Sequence, residues 1–184
     1  MLRGYKELWL ALLAMLLITG LYGAVVVATR ELPPAYELFG HGIGILGFIL
    51  MLMTETLYSL RKRSRSVKWG KMSTWLQSHI FMGLVGPFMV LLHSSWKFNG
   101  LAGVTMLLTI IIVVSGFIGR YIFTRIPRTM DGLEIEGTMS QEALKHARRL
   151  MALWHTIHIP IGMALFVSAF VHIGAALYYA TLLK

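Results

Sequence analysis

The sequence predicts an all-α, polytopic membrane protein with five transmembrane helices. Of its 184 residues, 57% are hydrophobic and only 14% are charged, a balance typical of chains that lie in a bilayer. Five apolar stretches reach the roughly 20 residues needed to cross the hydrocarbon layer. They cover about residues 8–29, 36–60, 75–96, 101–124 and 151–182. We therefore expect residues 1–184 to form a single integral membrane domain.

The first stretch has some features of a secretory signal peptide. Arg3 and Lys6 precede an apolar run that ends in AVVVA. The run is longer than the apolar region of a usual signal peptide. We therefore expect it to be retained as the first transmembrane helix.

The loops between the stretches predict an orientation. The segment RKRSRSVKWGK, residues 61–71, carries six positive charges and no negative one, and residues 125–150 carry five more. The other connections are the short turns RELPPA and KFNG. Because positive loops stay in the cytoplasm, we expect the N-terminus and both long loops inside and the C-terminus outside. Helices three and five then run parallel to each other.

Two pairs of histidines share one spacing inside the apolar stretches. His79 and His93 lie fourteen residues apart, and so do His158 and His172. Fourteen helical residues rise about 21 Å and return to within about 40° of the starting direction. Each helix is therefore expected to present two imidazoles on one face at two depths.

Parallel helices sort these four histidines into two layers. His79 and His158 are expected near the cytoplasmic side, and His93 and His172 in the outer leaflet. Neutral imidazoles from two facing helices can ligate one haem iron from both sides. The spacing therefore predicts two haem b groups, and the absence of cysteine excludes thioether attachment. Iron with six ligands has no open position for a substrate, which favours electron transfer. The alternative is that the histidines only pack helices together.

Glycines accompany the histidines. The segments HIFMGLVGPFMVLLH and HIPIGMALFVSAFVH both have a glycine four residues after the first histidine, Gly83 and Gly162. Both glycines fall on the histidine face, where a side chain would compete with a porphyrin. Helix two carries Gly40, Gly44 and Gly47 on one face, and helix four carries Gly103, Gly116 and Gly119. These six either leave room for haem or allow close helix packing.

Three further histidines lie outside this spacing pattern. His155 lies one turn before His158 and is an alternative to it as the ligand, but it is seventeen residues from His172. This separation turns it about 100° away from that face and favours His158 as the ligand. His155 either contacts a haem propionate or a quinone oxygen, or it is an interfacial histidine beside Trp154. His41 either has a polar role on the outer side, substitutes as a ligand, or packs helices. His146 is expected in solvent, on a polar helix that begins with a capping pattern at Thr138–Gln141.

Two charged residues are candidates for the inner side. Glu55 is the one carboxylate well inside a predicted span, where an acid is costly unless it is paired or protonated. It either exchanges protons with a quinone or pairs with the basic loop at 61–71. Arg120, followed by Arg125 and Arg128, ends helix four. Arg120 either binds a haem propionate or acts only as a topology signal.

With these residues, helices two to five resemble the four-helix, di-haem membrane cytochromes b, in which two parallel helices each provide two histidines. The segments WLQSHIFMGLVGPFMVLLHSSWKFNGLAGV, GRYIFTRIPR and WHTIHIP resemble small bacterial cytochrome b subunits that accompany multihaem c-type cytochromes or iron–sulfur proteins. The resemblance implies a subunit of the bacterial cytoplasmic membrane, surrounded by lipid, with such proteins as partners. No quinone-site motif of the large cytochromes b is found, so quinone activity does not follow from it.

The sequence leaves three functions open. The leading hypothesis is a di-haem cytochrome that transfers electrons between the quinone pool and a partner subunit. The chain has no Gly-rich nucleotide-binding loop after a strand, so a partner must supply or accept the electrons. A ferric-reductase-like transmembrane haem domain is a second possibility, although that family usually has six helices. The third is a haem-free membrane anchor or transporter subunit.

Overall fold

The structure, a computed structural model, describes residues 5–63, 70–126 and 140–182. Within these ranges the chain forms five α-helices and no strand. All five are long and apolar enough to cross a membrane. This confirms the prediction of an all-helical, multi-pass membrane protein. Arg128, Thr138 and most of the two basic loops lie outside the described residues.

The helix bounds follow the predicted spans closely. They are α1 Lys6–Thr29, α2 Leu38–Arg63, α3 Met72–His93, α4 Gly100–Thr124 and α5 Gln141–Leu182. The largest difference is in α5, which has 42 residues. The polar segment that contains His146 is continuous with the fifth span, and the hydroxyl of Ser140 accepts a hydrogen bond from the backbone N–H of Ala143 at 3.3 Å. Ser140 therefore caps this helix.

The chain divides into two compact units, one formed by α1, α2 and α3 and the other by α4 and α5. In the first unit, α3 packs against both α1 and α2. The core of this unit consists of Ala11, Tyr22, Ile43, Val85, Met89 and Leu92. The helix α3 is therefore the central helix of its unit.

Two glycines allow α2 and α3 to approach closely. A Cβ atom on Gly47 would lie 2.8 Å from the carbonyl oxygen of Gly86, and one on Gly86 would lie 2.9 Å from the carbonyl oxygen of Gly47. Cβ atoms do not tolerate such distances, so any side chain here would force the helices apart. Pro87, which follows Gly86, is buried inside α3. The α2–α3 contact thus brings one backbone directly against another.

The second unit is an antiparallel pair of long helices. The hydroxyls of Thr105 on α4 and Ser168 on α5 form a hydrogen bond of 2.7 Å. Thr109 and Leu165 are both 2% exposed. The Trp154 ring lies against Gly119, where any Cβ would overlap it. Small or hydroxylated residues on α4 therefore face large side chains or hydroxyls on α5.

Candidate functional site

The ring of His79 is held by the backbone of α2. Its Nδ1 atom lies 3.0 Å from the carbonyl oxygen of Thr54, and the side chain is half-buried. A carbonyl oxygen can only accept a hydrogen bond. The Nδ1 atom of His79 must therefore carry the proton and donate it.

His93 is held in the same way at the other end of α3. Its Nδ1 atom lies 2.8 Å from the carbonyl oxygen of Gly40. The ring also fills the space above Gly44, where a Cβ atom would lie 2.6 Å from the ring atoms Cγ and Nδ1. The missing side chain at Gly44 is what lets the imidazole reach the backbone of α2.

The two carbonyls of α2 have the same spacing as the two histidines of α3. Gly40 and Thr54 are fourteen residues apart, as are His79 and His93. In an antiparallel pair of helices with equal rise per residue, one register therefore satisfies both hydrogen bonds. Both rings of α3 consequently point toward α2, as their spacing predicts for residues on one helix face.

These hydrogen bonds determine which ring nitrogen can ligate a metal. A neutral imidazole that donates through Nδ1 carries its lone pair on Nε2. Histidines that ligate metals almost always donate their other ring N–H to a carboxylate, carbonyl or water, which sets the tautomer and the ring orientation. His79 and His93 therefore have the protonation pattern that an axial ligand of haem iron requires.

In the second unit, His158 has a different kind of partner. Its Nδ1 atom forms a hydrogen bond of 2.9 Å with the hydroxyl oxygen of Ser115. The Trp154 ring stacks on the imidazole at 4.5 Å with an angle of 28° between the planes. The indole N–H of Trp154 donates to the carbonyl oxygen of Ser115 at 2.7 Å. Ser115 therefore contacts both His158 and the side chain that covers it.

His155 and His172, also on α5, are likewise half-buried. The ring of His155 lies 4.8 Å from that of Trp154 at an angle of 57°. Trp154 thus contacts the rings of both His155 and His158. His172 follows Ser168 by one helical turn, and Ser168 is bonded to Thr105 on α4.

The glycines fall into two groups. Gly44, Gly47 and Gly119 are required by the contacts described above, which supports the packing interpretation for them. Gly83 and Gly162 are different, because Cβ atoms there would meet Thr54 Cγ2 at 3.5 Å and Ile112 Cδ1 at 3.8 Å, both ordinary contact distances. The packing of each unit does not require glycine at these two positions. The space that these two glycines leave is compatible with a porphyrin lying beside His79 and His158.

A groove of about 380 Å³ opens between α2 and α3 beside His79. Its lining is largely apolar, with hydroxyl groups and an indole among the side chains. The lining includes Met53, Leu57, Met82, Thr54, Ser78 and Trp75. The groove therefore adjoins the imidazole of His79 directly.

The charged candidates on α4 differ in their surroundings. Arg120 is half-buried and directly follows Gly119. Arg125 lies after the end of the helix and over the ring of Tyr121, with 4.7 Å between the guanidinium carbon and the ring centroid, and donates a hydrogen bond to its hydroxyl. Arg120 lies within the helix and closer than Arg125 to the level of Ser115 and His158.

The remaining candidates are exposed. Glu55 follows Thr54 on α2, and its side chain is exposed, as is that of His146. The exposed His41 ring meets the ring of His93 edge to face at 6.0 Å. This contact supports a packing role for His41 beside His93. The expectation that His146 is solvent-accessible is confirmed.

Within the described ranges, no group of three or more His, Cys, Asp or Glu side chains is arranged to hold a metal ion. A haem iron takes four ligands from its porphyrin and needs only the two axial positions from protein. Comparisons with known proteins give no further guide. Protein-family models, curated proteins and solved structures were all searched, and none matches the chain.

Sequence reasoning did not identify Ser115, the carbonyl of Thr54 or the carbonyl of Gly40 as partners of the histidines. The signal for the two carbonyls was present. Once α2 and α3 are taken as antiparallel neighbours, residues whose numbers have a constant sum lie at one level. Gly40 pairs with His93 and Thr54 with His79 on this basis. In the second unit, the contacts Ser115–His158, Gly119–Trp154 and Thr105–Ser168 also have one constant sum of residue numbers, but only the structure gives that register.

Proposed function

We propose that the chain is a di-haem b-type cytochrome that carries electrons across the membrane. One observation supports this most strongly. Two imidazoles fourteen residues apart on α3 each donate Nδ1–H to a carbonyl of α2. A histidine that only joins two helices can also donate Nδ1–H to a carbonyl, but an axial ligand of iron needs this tautomer, because it leaves the lone pair on Nε2.

Each iron would take one imidazole from α3 and one from α5, in the pairing that the sequence spacing predicts. His79 and His158 would be ligands of the inner haem, and His93 and His172 of the outer haem. When bound, haem b supplies one-electron transfer by cycling its iron between the ferrous and ferric states. The protein holds the rings in one orientation, leaves room at Gly83 and Gly162, and provides Arg120 for a propionate.

The spacing along the helices sets the length of this electron path. Fourteen residues separate the two levels by about 21 Å of helical rise, roughly two thirds of the hydrocarbon thickness. Carrying one electron across a membrane potential of 100 mV changes its energy by about 2.3 kcal/mol. The direction of electron flow therefore has a substantial energetic consequence.

The test is to purify the protein from cells that produce haem. We expect a Soret band, about two haems per chain by the pyridine haemochromogen assay, and two reduction steps in a potentiometric titration. Low-spin ferric signals in electron paramagnetic resonance would identify bis-histidine coordination. Protein that folds and contains no haem would contradict the proposal and leave the haem-free anchor or transporter as the alternative. Haem-loaded protein that reduces ferric ions with a flavin-containing partner would favour the ferric-reductase alternative.

We propose further that the electrons pass between the quinone pool and a c-type cytochrome or iron–sulfur subunit. The support is that the sequence contains no Gly-rich nucleotide-binding loop after a strand, so a di-haem cytochrome of this kind needs a partner to supply or accept its electrons. Glu55 and His155 are the candidates for proton exchange or hydrogen bonding with a quinone. The positive-inside pattern would put the N-terminus in the cytoplasm of a bacterium and the C-terminus outside its inner membrane.

The quinone step has its own test. A quinone analogue should shift the spectrum or potential of one haem, and Glu55→Gln should slow quinol oxidation without changing haem content. If the analogue perturbs neither haem, electron transfer between two protein partners is the better description.

A further inference from the structure

The contacts of Ser115 point to a role that the pairing of histidines does not include. We propose that Ser115 is the positioning residue of His158, accepting Nδ1–H with its hydroxyl while its carbonyl holds the Trp154 ring against the imidazole. This inference rests on the proposed function, since it treats His158 as a haem ligand. It adds a residue on α4 that sets the orientation of a ligand on α5.

The His158 ring is restrained in two directions. The His158 ring is restrained in its plane by the 2.9 Å hydrogen bond to the Ser115 hydroxyl. It is restrained perpendicular to its plane by the Trp154 ring at 4.5 Å. Ser115 also anchors the Trp154 ring, because the indole N–H donates to the Ser115 carbonyl at 2.7 Å. One residue therefore limits both the rotation and the tilt of the imidazole.

The position of the Trp154 ring depends on the absence of a side chain at Gly119. Gly119, one turn after Ser115, has no side chain where the indole lies, and any Cβ there would overlap the ring. Ser115 and Gly119 are four residues apart on α4, and Trp154 and His158 are four residues apart on α5. Each pair therefore lies on one helix face. Moving either helix by one residue would break all of these contacts.

The hydrogen-bond partner of His158 differs chemically from those of His79 and His93. His79 and His93 donate to backbone carbonyls, which no side-chain substitution removes. Ser115 offers a hydroxyl, which can accept or donate, so the His158 partner can be deleted by one substitution. Loss of such an outer partner typically weakens metal binding by about 10–100-fold.

The experiment compares Ser115→Ala, Ser115→Thr and a control, Ser168→Ala. The control removes another hydroxyl of the α4–α5 interface, the one bonded to Thr105 at 2.7 Å, but lies one turn from His172 and away from His158. Full-length proteins are measured for haem affinity, for the midpoint potential of each haem and for the ferric low-spin signals. The ¹⁵N resonances of the His158 ring are also recorded in the haem-free protein, since they report the tautomer directly.

We expect Ser115→Ala to weaken binding of one haem by about 10–100-fold, to change that haem's ferric signal and potential, and to give a mixture of His158 tautomers. Ser115→Thr, which keeps the hydroxyl, should retain the wild-type haem affinity, ferric signal, midpoint potential and His158 tautomer. Ser168→Ala should leave the inner haem unchanged. The proposal is overturned if Ser115→Ala leaves haem affinity, ferric signal and tautomer as in the wild type. It is also overturned if Ser168→Ala produces the same changes at the same haem. If the wild-type protein binds two haems and either of these results is obtained, only this inference is overturned. If the wild-type protein binds no haem, the proposed function is overturned as well.

Discussion

At the scale of single residues, the histidines differ in what holds them. His79 and His93 bond to carbonyls of one helix, and His158 bonds to a hydroxyl and is covered by an indole. His155 contacts the same indole from a different direction, with its ring tilted by 57°. His158 is thus restrained by both a hydroxyl and an indole. It is also the histidine that helical spacing selects as the ligand.

Alanine substitutions test this choice. His158→Ala should lose one haem and keep the other, because a haem with one missing axial ligand binds weakly while the second haem keeps both. His155→Ala should keep two haems per chain. The measurement is haem content by the pyridine assay together with the number of reduction steps in a redox titration. The reverse pattern, with one haem lost from His155→Ala and two kept in His158→Ala, would assign the ligand to His155.

Tyr22 provides a test of stability at the same scale. The side chain is 7% exposed, and its buried hydroxyl has no hydrogen-bond partner among the residues that the structure describes. A buried polar group without a partner costs about 1–3 kcal/mol. Tyr22→Phe should therefore raise the free energy of unfolding by roughly 1 kcal/mol, measured by thermal or denaturant unfolding in detergent.

Tyr178→Phe is the matched control, because Tyr178 is 57% exposed and its substitution should change stability little. A loss of stability in Tyr22→Phe would show that the hydroxyl does have a partner, such as a buried water molecule.

At the scale of elements, α2 acts as a support for α3. It contributes two carbonyls at the spacing of the two histidines and glycines at the points of closest approach. The pair α4 and α5 is built differently, with hydroxyl-to-hydroxyl and indole-to-glycine contacts. In both units, the helix that carries the histidines packs against a partner with small residues at the contact.

Two neighbouring glycines of α2 make a matched pair of substitutions. Gly44→Ala would place a Cβ 2.6 Å from the His93 ring, whereas a Cβ added at Gly42 would have no atom within 4 Å. We expect Gly44→Ala to displace the imidazole and lose the outer haem. Gly42→Ala should keep both haems and gain up to about 1 kcal/mol from better helix propensity. Haem content and thermal unfolding are the measurements, and equal behaviour of the two variants would contradict the role of Gly44.

Gly83 tests the room beside His79. A Cβ at this position would be 3.5 Å from Thr54 Cγ2, so Gly83→Ala should fold normally without haem. If the porphyrin lies against this face, the added methyl should weaken binding of the inner haem, and Gly162→Ala on α5 should act on the same haem. Haem titration of the haem-free proteins measures the effect. Wild-type affinity for both haems in both variants would show that the glycines do not face the porphyrin.

At the scale of the whole molecule, the charge distribution predicts the orientation in the membrane. Because the chain has no cysteine, single cysteines can be introduced without background. A membrane-impermeant maleimide should label Asn99→Cys in intact cells, since this turn is expected outside. It should label Ser64→Cys, in the basic loop, only after the cells are permeabilised. Labelling of Ser64→Cys in intact cells would reverse the predicted orientation.

The sequence by itself determined the five helices and their approximate ends. Length and apolar content are properties of consecutive residues, and a bilayer requires about 20 apolar residues per helix whatever packs around them. The equal spacing of the histidines can also be read from the sequence alone, because helical geometry converts a separation along the chain into a direction and a height. The extension of α5 through its polar segment was missed, since a capping pattern marks a start but not whether two helical segments join.

Only the tertiary structure decided which atoms the histidines contact. The carbonyls of Gly40 and Thr54, the Ser115 hydroxyl and the Trp154 ring come from other helices or from another turn of the same helix. The contacts between helices depend on the register of one helix against another, and a shift by one residue turns a side chain by about 100°. The structure also separated the glycines that packing requires, such as Gly44 and Gly119, from Gly83 and Gly162, which it does not. The sequence placed Gly83 and Gly162 on the histidine face but left open which of the other glycines serve packing, because the room around a missing side chain is a property of the neighbouring helix.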